Sequence, residues 1–117
     1  MPCVLDLTGN DNRATKDSSV NLLIIGNNYL LKQVSVTTTD NAGNATTNSF
    51  SDKIDPTGKK VTIKVLEGVN RVVMTFFPPP APETLDIVED CGAGTTQPIL
   101  SFGADIIPDA TFKVIAS

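Results

Sequence analysis

The stretch Lys59 to Phe77, KKVTIKVLEGVNRVVMTFF, carries the clearest structural signal in the chain. Val61, Ile63 and Val65 alternate with Lys60, Thr62 and Lys64, the period-two pattern of a strand with one face buried and the other in water. Asp55-Pro56-Thr57-Gly58 leads into it with Pro second and Gly fourth, a type I turn signature. Beyond Glu67-Gly68-Val69-Asn70, Val72, Met74 and Phe76 share one face while Val73 and Phe77 load the other, which predicts a central strand. The two runs read as a hairpin turning at 67–70.

The same pattern extends in both directions. Leu30 to Thr39 alternates Val34 and Val36 with Ser35 and Thr37, Asp40 to Asn44 supplies turn formers, and Ala45 to Ile54 returns. Pro78 to Pro82 (PPPAP) cannot enter a ladder and reads as an extended connection. Thr84 to Val88, Pro98 to Phe102 and Thr111 to Ala116 follow, with breaks at Gly92-Ala93-Gly94 and Pro108-Asp109. Eight or nine short strands without a helical period predict an all-β fold. The expected form is an antiparallel two-sheet sandwich, jelly-roll or immunoglobulin-like, ahead of a small barrel.

The N-terminus is organised differently. Cys3, Leu5 and Leu7 fall on one side of a short apolar strand that also holds Val4, and Thr8 to Ser19 then contains one apolar residue, Ala14. The reading is a connector at 1–18, an apolar strand plus a polar flexible tether, followed by a sandwich domain at 19–117.

Composition excludes several chemistries. The chain of 117 residues has no His and no Trp, and its formal net charge is −4. Without imidazole, Ser–His and Cys–His nucleophiles are ruled out, and with two Cys a zinc site within one chain is not expected. Asp86, Glu89 and Asp90 are the densest acids; on a strand Asp86 and Asp90 share a face, with Ile87 and Glu89 on the other. Few aromatics line any cleft around them, so the chain is read as no enzyme and no metal or cofactor is assigned. Calcium is the one cofactor the composition admits, through Asp40, Asn41 and Asn44 or through Asn10, Asp11 and Asn12. Tyr29, beside Asn27 and Asn28, is the only residue suited to stack on a sugar, although its expected place is a strand edge with the hydroxyl in water.

The acidic balance argues against nucleic acid, and no apolar run reaches the length of a membrane helix. Lys59, Lys60, Lys64 and Arg71 face only Glu67 within 59–77, whereas Glu83, Asp86, Glu89, Asp90, Asp105 and Asp109 outnumber Lys113 beyond it. Such patches are either separate solvated faces or complementary surfaces between copies of the chain. Cys3 and Cys91 have three readings: two reduced thiols, an intrachain staple, or a link between subunits.

Val36 to Asn44, VTTTDNAGN, resembles the late hairpin of bacterial immunoglobulin-like adhesion repeats over these nine residues. That resemblance implies a sandwich. The plan of apolar end, polar tether and β body is similar in layout to subunits of donor-strand pili and spore appendages, where an N-terminal segment joins one copy to the next. The resulting expectation is a non-catalytic structural subunit that assembles with copies of itself into rings or fibres by strand addition. Cys3, Val4, Leu5 and Leu7 form the joint, and Cys3 and Cys91 its intersubunit lock. The expected location is extracellular or surface-exposed, without a recognisable signal peptide; a cytoplasmic location stays open. The alternative is a soluble carbohydrate- or calcium-dependent binding module built on Tyr29, Asp40, Asn41 and Asn44.

Overall fold

The computed structural model describes residues 3–9, 11–104 and 109–117. Asn10, Asp105 and the break at Pro108 lie outside the described residues. The strands are β1 (Arg13–Ala14), β2 (Ser19–Ile25), β3 (Leu30–Thr39), β4 (Ala45–Ser49), β5 (Lys60–Lys64), β6 (Gly68–Phe77), β7 (Leu85–Gly92), β8 (Thr95–Phe102) and β9 (Asp109–Ala116). They form a five-stranded sheet, β1-β9-β6-β3-β4, and a four-stranded sheet, β5-β2-β7-β8. Every pairing is antiparallel except that of β1 with β9. The fold is thus the expected all-β sandwich.

The period-two pattern sets the inner faces. Val20, Leu22 and Ile24 of β2, Val61 and Ile63 of β5 and Leu85 and Ile87 of β7 point inward from one sheet. Val34 and Val36 of β3, Val72, Met74 and Phe76 of β6 and Phe112 and Val114 of β9 meet them from the other. Each such side chain contributes roughly 1.5–3 kcal/mol on burial. Central β6 lies between β3 and β9, as its two-sided apolar loading predicts.

The stretch 59–77 does not form a hairpin. β5 pairs with β2 and β6 pairs with β3 and β9, so the chain crosses from one sheet to the other between them. Gly68, Val69 and Asn70, expected as the turn, already belong to the β6–β9 ladder. Asn70 is fully buried and holds the crossing: its Oδ1 accepts from Leu66 N at 3.0 Å and Thr38 Oγ1 at 2.6 Å. Its Nδ2 donates to Leu66 O at 2.8 Å and Val114 O at 3.2 Å. Gly68 adopts φ +122°, and a Cβ there would lie 2.3 Å from Thr39 O. Alternation is a property of each strand alone and is the same for a hairpin and for a crossing between sheets.

Three other boundaries moved. The return after the β3–β4 turn ends at Ser49, where a 3-10 turn at Ser51–Lys53 takes over. β7 runs on through Gly92, and Pro98 sits inside β8, accommodated by a register shift between Ile87 and Val88. The tether is tied down along the described part of its length. Asp6 and Arg13 exchange backbone hydrogen bonds, Ile115 N donates to Asn12 O, and Asp17 N donates to Val65 O at 2.8 Å. Polar side chains forecast solvent contact, but main-chain groups pair regardless of the side chain they carry.

Candidate functional site

The N-terminal residues read as a joint between subunits lie against their own chain. Cys3 and Cys91 form an intrachain disulfide with Cα atoms 4.7 Å apart. Beside them sits Glu89, 1% exposed on the inner face of β7. Its carboxylate accepts from Val4 N at 2.7 Å, Leu5 N at 3.0 Å and Gln97 Nε2 at 2.7 Å. Gln97 Nε2 also donates to Leu5 O at 2.7 Å. Leu5 is buried in the core, Leu7 packs against it, and Val4 remains exposed. The structure therefore brings Cys3, Val4, Leu5, Leu7 and Cys91 together, but as a strap over one end of their own sandwich. The cysteine pair is the intrachain staple, not the intersubunit lock. Its cause is the longer β7, which puts Glu89 and Cys91 on the inner face where residues 3–5 can reach them.

Cys3, Glu89 and Cys91 also present ligand atoms within 4.8 Å of one another. Metal binding to cysteine needs thiolate, and both sulfurs are committed to the disulfide, so this trio is a structural joint.

The residues of the alternative ligand loop are not brought together. Tyr29 precedes β3 and Asp40 follows it, and a strand of that length spans about 30 Å at ~3.3 Å per residue. Tyr29 is fully buried, edge-on to Phe76 at 5.8 Å between ring centroids, which corrects the expected strand-edge position in water. Asp40 Oδ1 accepts from Ala42 N at 3.0 Å and Asn44 N at 2.9 Å, closing its own turn, while Asn41 is exposed at the tip. Those hydrogen bonds, the Asn44 amide foremost, hold the Asp40 carboxyl below the usual carboxylate range. Asp11 instead pairs with Arg13 at 3.3 Å, and Asn12 Nδ2 donates to Lys113 O at 2.9 Å.

Among the described residues one strand edge remains open. An edge strand presents unpaired N–H and C=O groups to any incoming chain unless something blunts it. β1 is two residues long. β5 carries Lys60 and Lys64, and its flank is covered by the Ile54–Val61 bridge and the Asp55 N to Lys60 O hydrogen bond. β8 contains Pro98, and its pairing with β7 shifts register twice. β4, sequence ATTNS, has no charge, no proline and no bulge, and all five of its residues are exposed.

The alternation of the β3–β4 ladder fixes which groups are free. Asp40 N donates to Asn44 O and Phe50 N to Val34 O, so the even-numbered residues of β4 bond to β3. The N–H and C=O groups of Ala45, Thr47 and Ser49 turn outward, where no further strand lies among the described residues. Thr37 and Thr47 share a hydroxyl hydrogen bond at 2.8 Å that steadies the strand.

Comparison with protein-family models, curated proteins and solved structures finds no match to this chain. The functional reading therefore rests on geometry. Two features escaped the sequence reading. Glu89 has a signal in hindsight, since it interrupts the apolar series Leu85, Ile87, Cys91 on one face of a strand. The open edge of β4 has none, because which strands lie at an edge is decided by topology.

Proposed function

We propose that this protein is a non-catalytic structural subunit that associates with copies of itself by strand addition, with β4 as the joining edge. The observation that carries this reading is the contrast among the sheet edges: three are blunted and β4 is left unbulged, neutral and exposed. Two β4 strands meeting antiparallel about Thr47 extend the five-stranded sheet continuously across a two-fold axis. Ala45 then faces Ser49 of the second copy, and Thr47 faces Thr47, small side chains that let the edges approach, with one Thr–Thr pair of the kind sheets favour.

The expected strength follows from the ladder. Three outward residues on each copy make six main-chain hydrogen bonds, at about 1 kcal/mol each. The five facing side-chain pairs, Thr47 with Thr47, Ala45 with Ser49 twice and Thr46 with Asn48 twice, add roughly 2 kcal/mol in total, and association costs at least about 4 kcal/mol. The balance corresponds to a Kd of about 1 mM at its tightest. A pairing of this strength matters where copies are held at high local concentration, as in arrays or on a surface. The intrachain disulfide supports an oxidising location outside the cytoplasm. No helix among the described residues is long and apolar enough to cross a membrane.

Light scattering across a concentration series up to a few millimolar tests the reading, with Thr47→Pro as the diagnostic variant. Proline at 47 removes an outward N–H and the hydroxyl bond to Thr37, and leaves the main-chain bonds to β3 in place. The expected result is concentration-dependent association that Thr47→Pro abolishes while lowering the unfolding free energy by no more than about 1 kcal/mol. A monomer at all concentrations, or association that survives the variant, overturns it.

A further inference from the structure

The outward face of the five-stranded sheet holds a feature that strand addition leaves unused. Arg71 on β6 stands directly opposite Lys113 on β9. The hydrogen bonds from Ile115 N to Asn12 O and Ser117 N to Ala14 O turn the odd-numbered amides of β9 toward β1. Arg71 and Lys113 are consequently a non-hydrogen-bonded pair, the closer of the two antiparallel spacings. Like charges placed directly across strands are unfavourable. The two ion pairs among the described residues, Arg13 with Asp11 and Lys16 with Glu67, include neither Arg71 nor Lys113.

Around this pair the sheet face is a shallow open hollow of about 880 Å³. Thr37, Thr39 and Thr111 line it with hydroxyls, Val69 and Ile115 supply an aliphatic floor, and Asn12 stands at the rim. Asp11, also at the rim, is matched by Arg13 at 3.3 Å. The volume is on the scale of a small-molecule site, far more than a single inorganic anion fills.

We propose that this hollow, centred on Arg71 and Lys113, binds anionic saccharides bearing carboxylate or sulfate groups. The guanidinium of Arg71 offers a planar fork to such a group, and the Lys113 ammonium a second charge beside it. The threonine hydroxyls both donate to and accept from sugar hydroxyls, while Val69 and Ile115 pack under the C–H face of a ring. A peptide is the poorer occupant. Peptides add to sheets through main-chain hydrogen bonds at an edge, and β9, β6 and β3 are paired on both sides here. The inference does not depend on assembly through β4.

Isothermal titration and NMR shift mapping on the full chain test it with four probes: a galacturonate hexasaccharide, a heparin-derived hexasaccharide, neutral maltohexaose and polyglutamate. The expected result is binding of one or both anionic saccharides, weakened by salt, with shifts at Thr37, Val69, Thr111 and Ile115. Which of the two binds identifies the charged group as carboxylate or sulfate. Arg71→Gln and Lys113→Glu should each weaken binding about tenfold or more. Lys113→Glu replaces a like-charge pair by an opposite one, so its Tm holds or rises and its loss of binding is not unfolding. Lys60→Gln/Lys64→Gln, on the outer face of the other sheet, should bind as the parent does. Failure of both anionic saccharides to bind overturns the proposal. So does equal binding of maltohexaose or polyglutamate, equal loss in the Lys60/Lys64 control, or unchanged binding in Arg71→Gln.

Discussion

Removing the Cys3–Cys91 disulfide should cost more stability than any single side-chain truncation on the surface. The bond closes a loop spanning a sequence separation of 88. Loop-closure entropy for that length gives about 4.6 kcal/mol at 25 °C as the upper figure, and native disulfides deliver from about 2 kcal/mol upward. The strap it holds is also bonded through Glu89 and buries Leu5, so these contacts retain part of the order after reduction. The perturbation is Cys3→Ser/Cys91→Ser, compared with the parent with and without reductant, in equilibrium urea unfolding. With an m-value near 1.5 kcal/mol/M the midpoint should fall by roughly 1.5–3 M. Reductant should reproduce the shift in the parent and leave the variant unchanged. A midpoint that moves by less than about 0.3 M, under 0.5 kcal/mol, would refute the reasoning, because a loop this long cannot be opened at no cost to the folded state.

Three further outcomes follow from particular groups. Glu89→Ala strips the buried partner from Val4 N, Leu5 N and Gln97 Nε2, and should destabilise by about 3 kcal/mol while exposing the amides of residues 4 and 5 to hydrogen exchange. Gly68→Ala must place a Cβ against Thr39 O at a positive φ, and should cost at least about 2 kcal/mol by thermal unfolding. Asp6, Asp40 and Asp55 are held below the ordinary aspartate range, by Thr8, the Asn44 amide and Thr57 respectively as the largest causes. A carboxyl depressed on folding stabilises above its unfolded value, near 3.9, and that contribution is lost as pH falls through the folded value. Tm should therefore stay level from neutral pH to about 5 and decline below about 4; a decline between pH 7 and 5 would contradict this.

The sequence made strands legible and pairings only partly so. Val61, Ile63 and Val65 announce a half-buried strand, and the Asp40–Asn44 turn brings β3 and β4 together because both lie within one local hairpin. The crossing at 66–70 was hidden, since a buried Asn70 bonding Leu66 and Val114 depends on β9, more than forty residues away. Tyr29 looked like an edge residue beside two asparagines, yet Phe76 on another strand closes over it. Composition likewise assigned 8–19 to a tether, when β9 and Val65 supply main-chain partners to it. The staple was among the readings of the two cysteines, but choosing it required knowing that Glu89 and Cys91 face inward.

The most direct test of assembly through β4 is amide hydrogen exchange at Ala45, Thr47 and Ser49 as a function of protein concentration. These three amides point outward in the isolated subunit, whereas the even-numbered amides of β4 bond to β3. The account predicts fast exchange of the three at micromolar concentration and rising protection as concentration approaches about 1 mM, with no change at Thr46 or Asn48. Exchange at Thr47 that stays fast at every concentration while the protein self-associates would place the joint elsewhere and contradict the account.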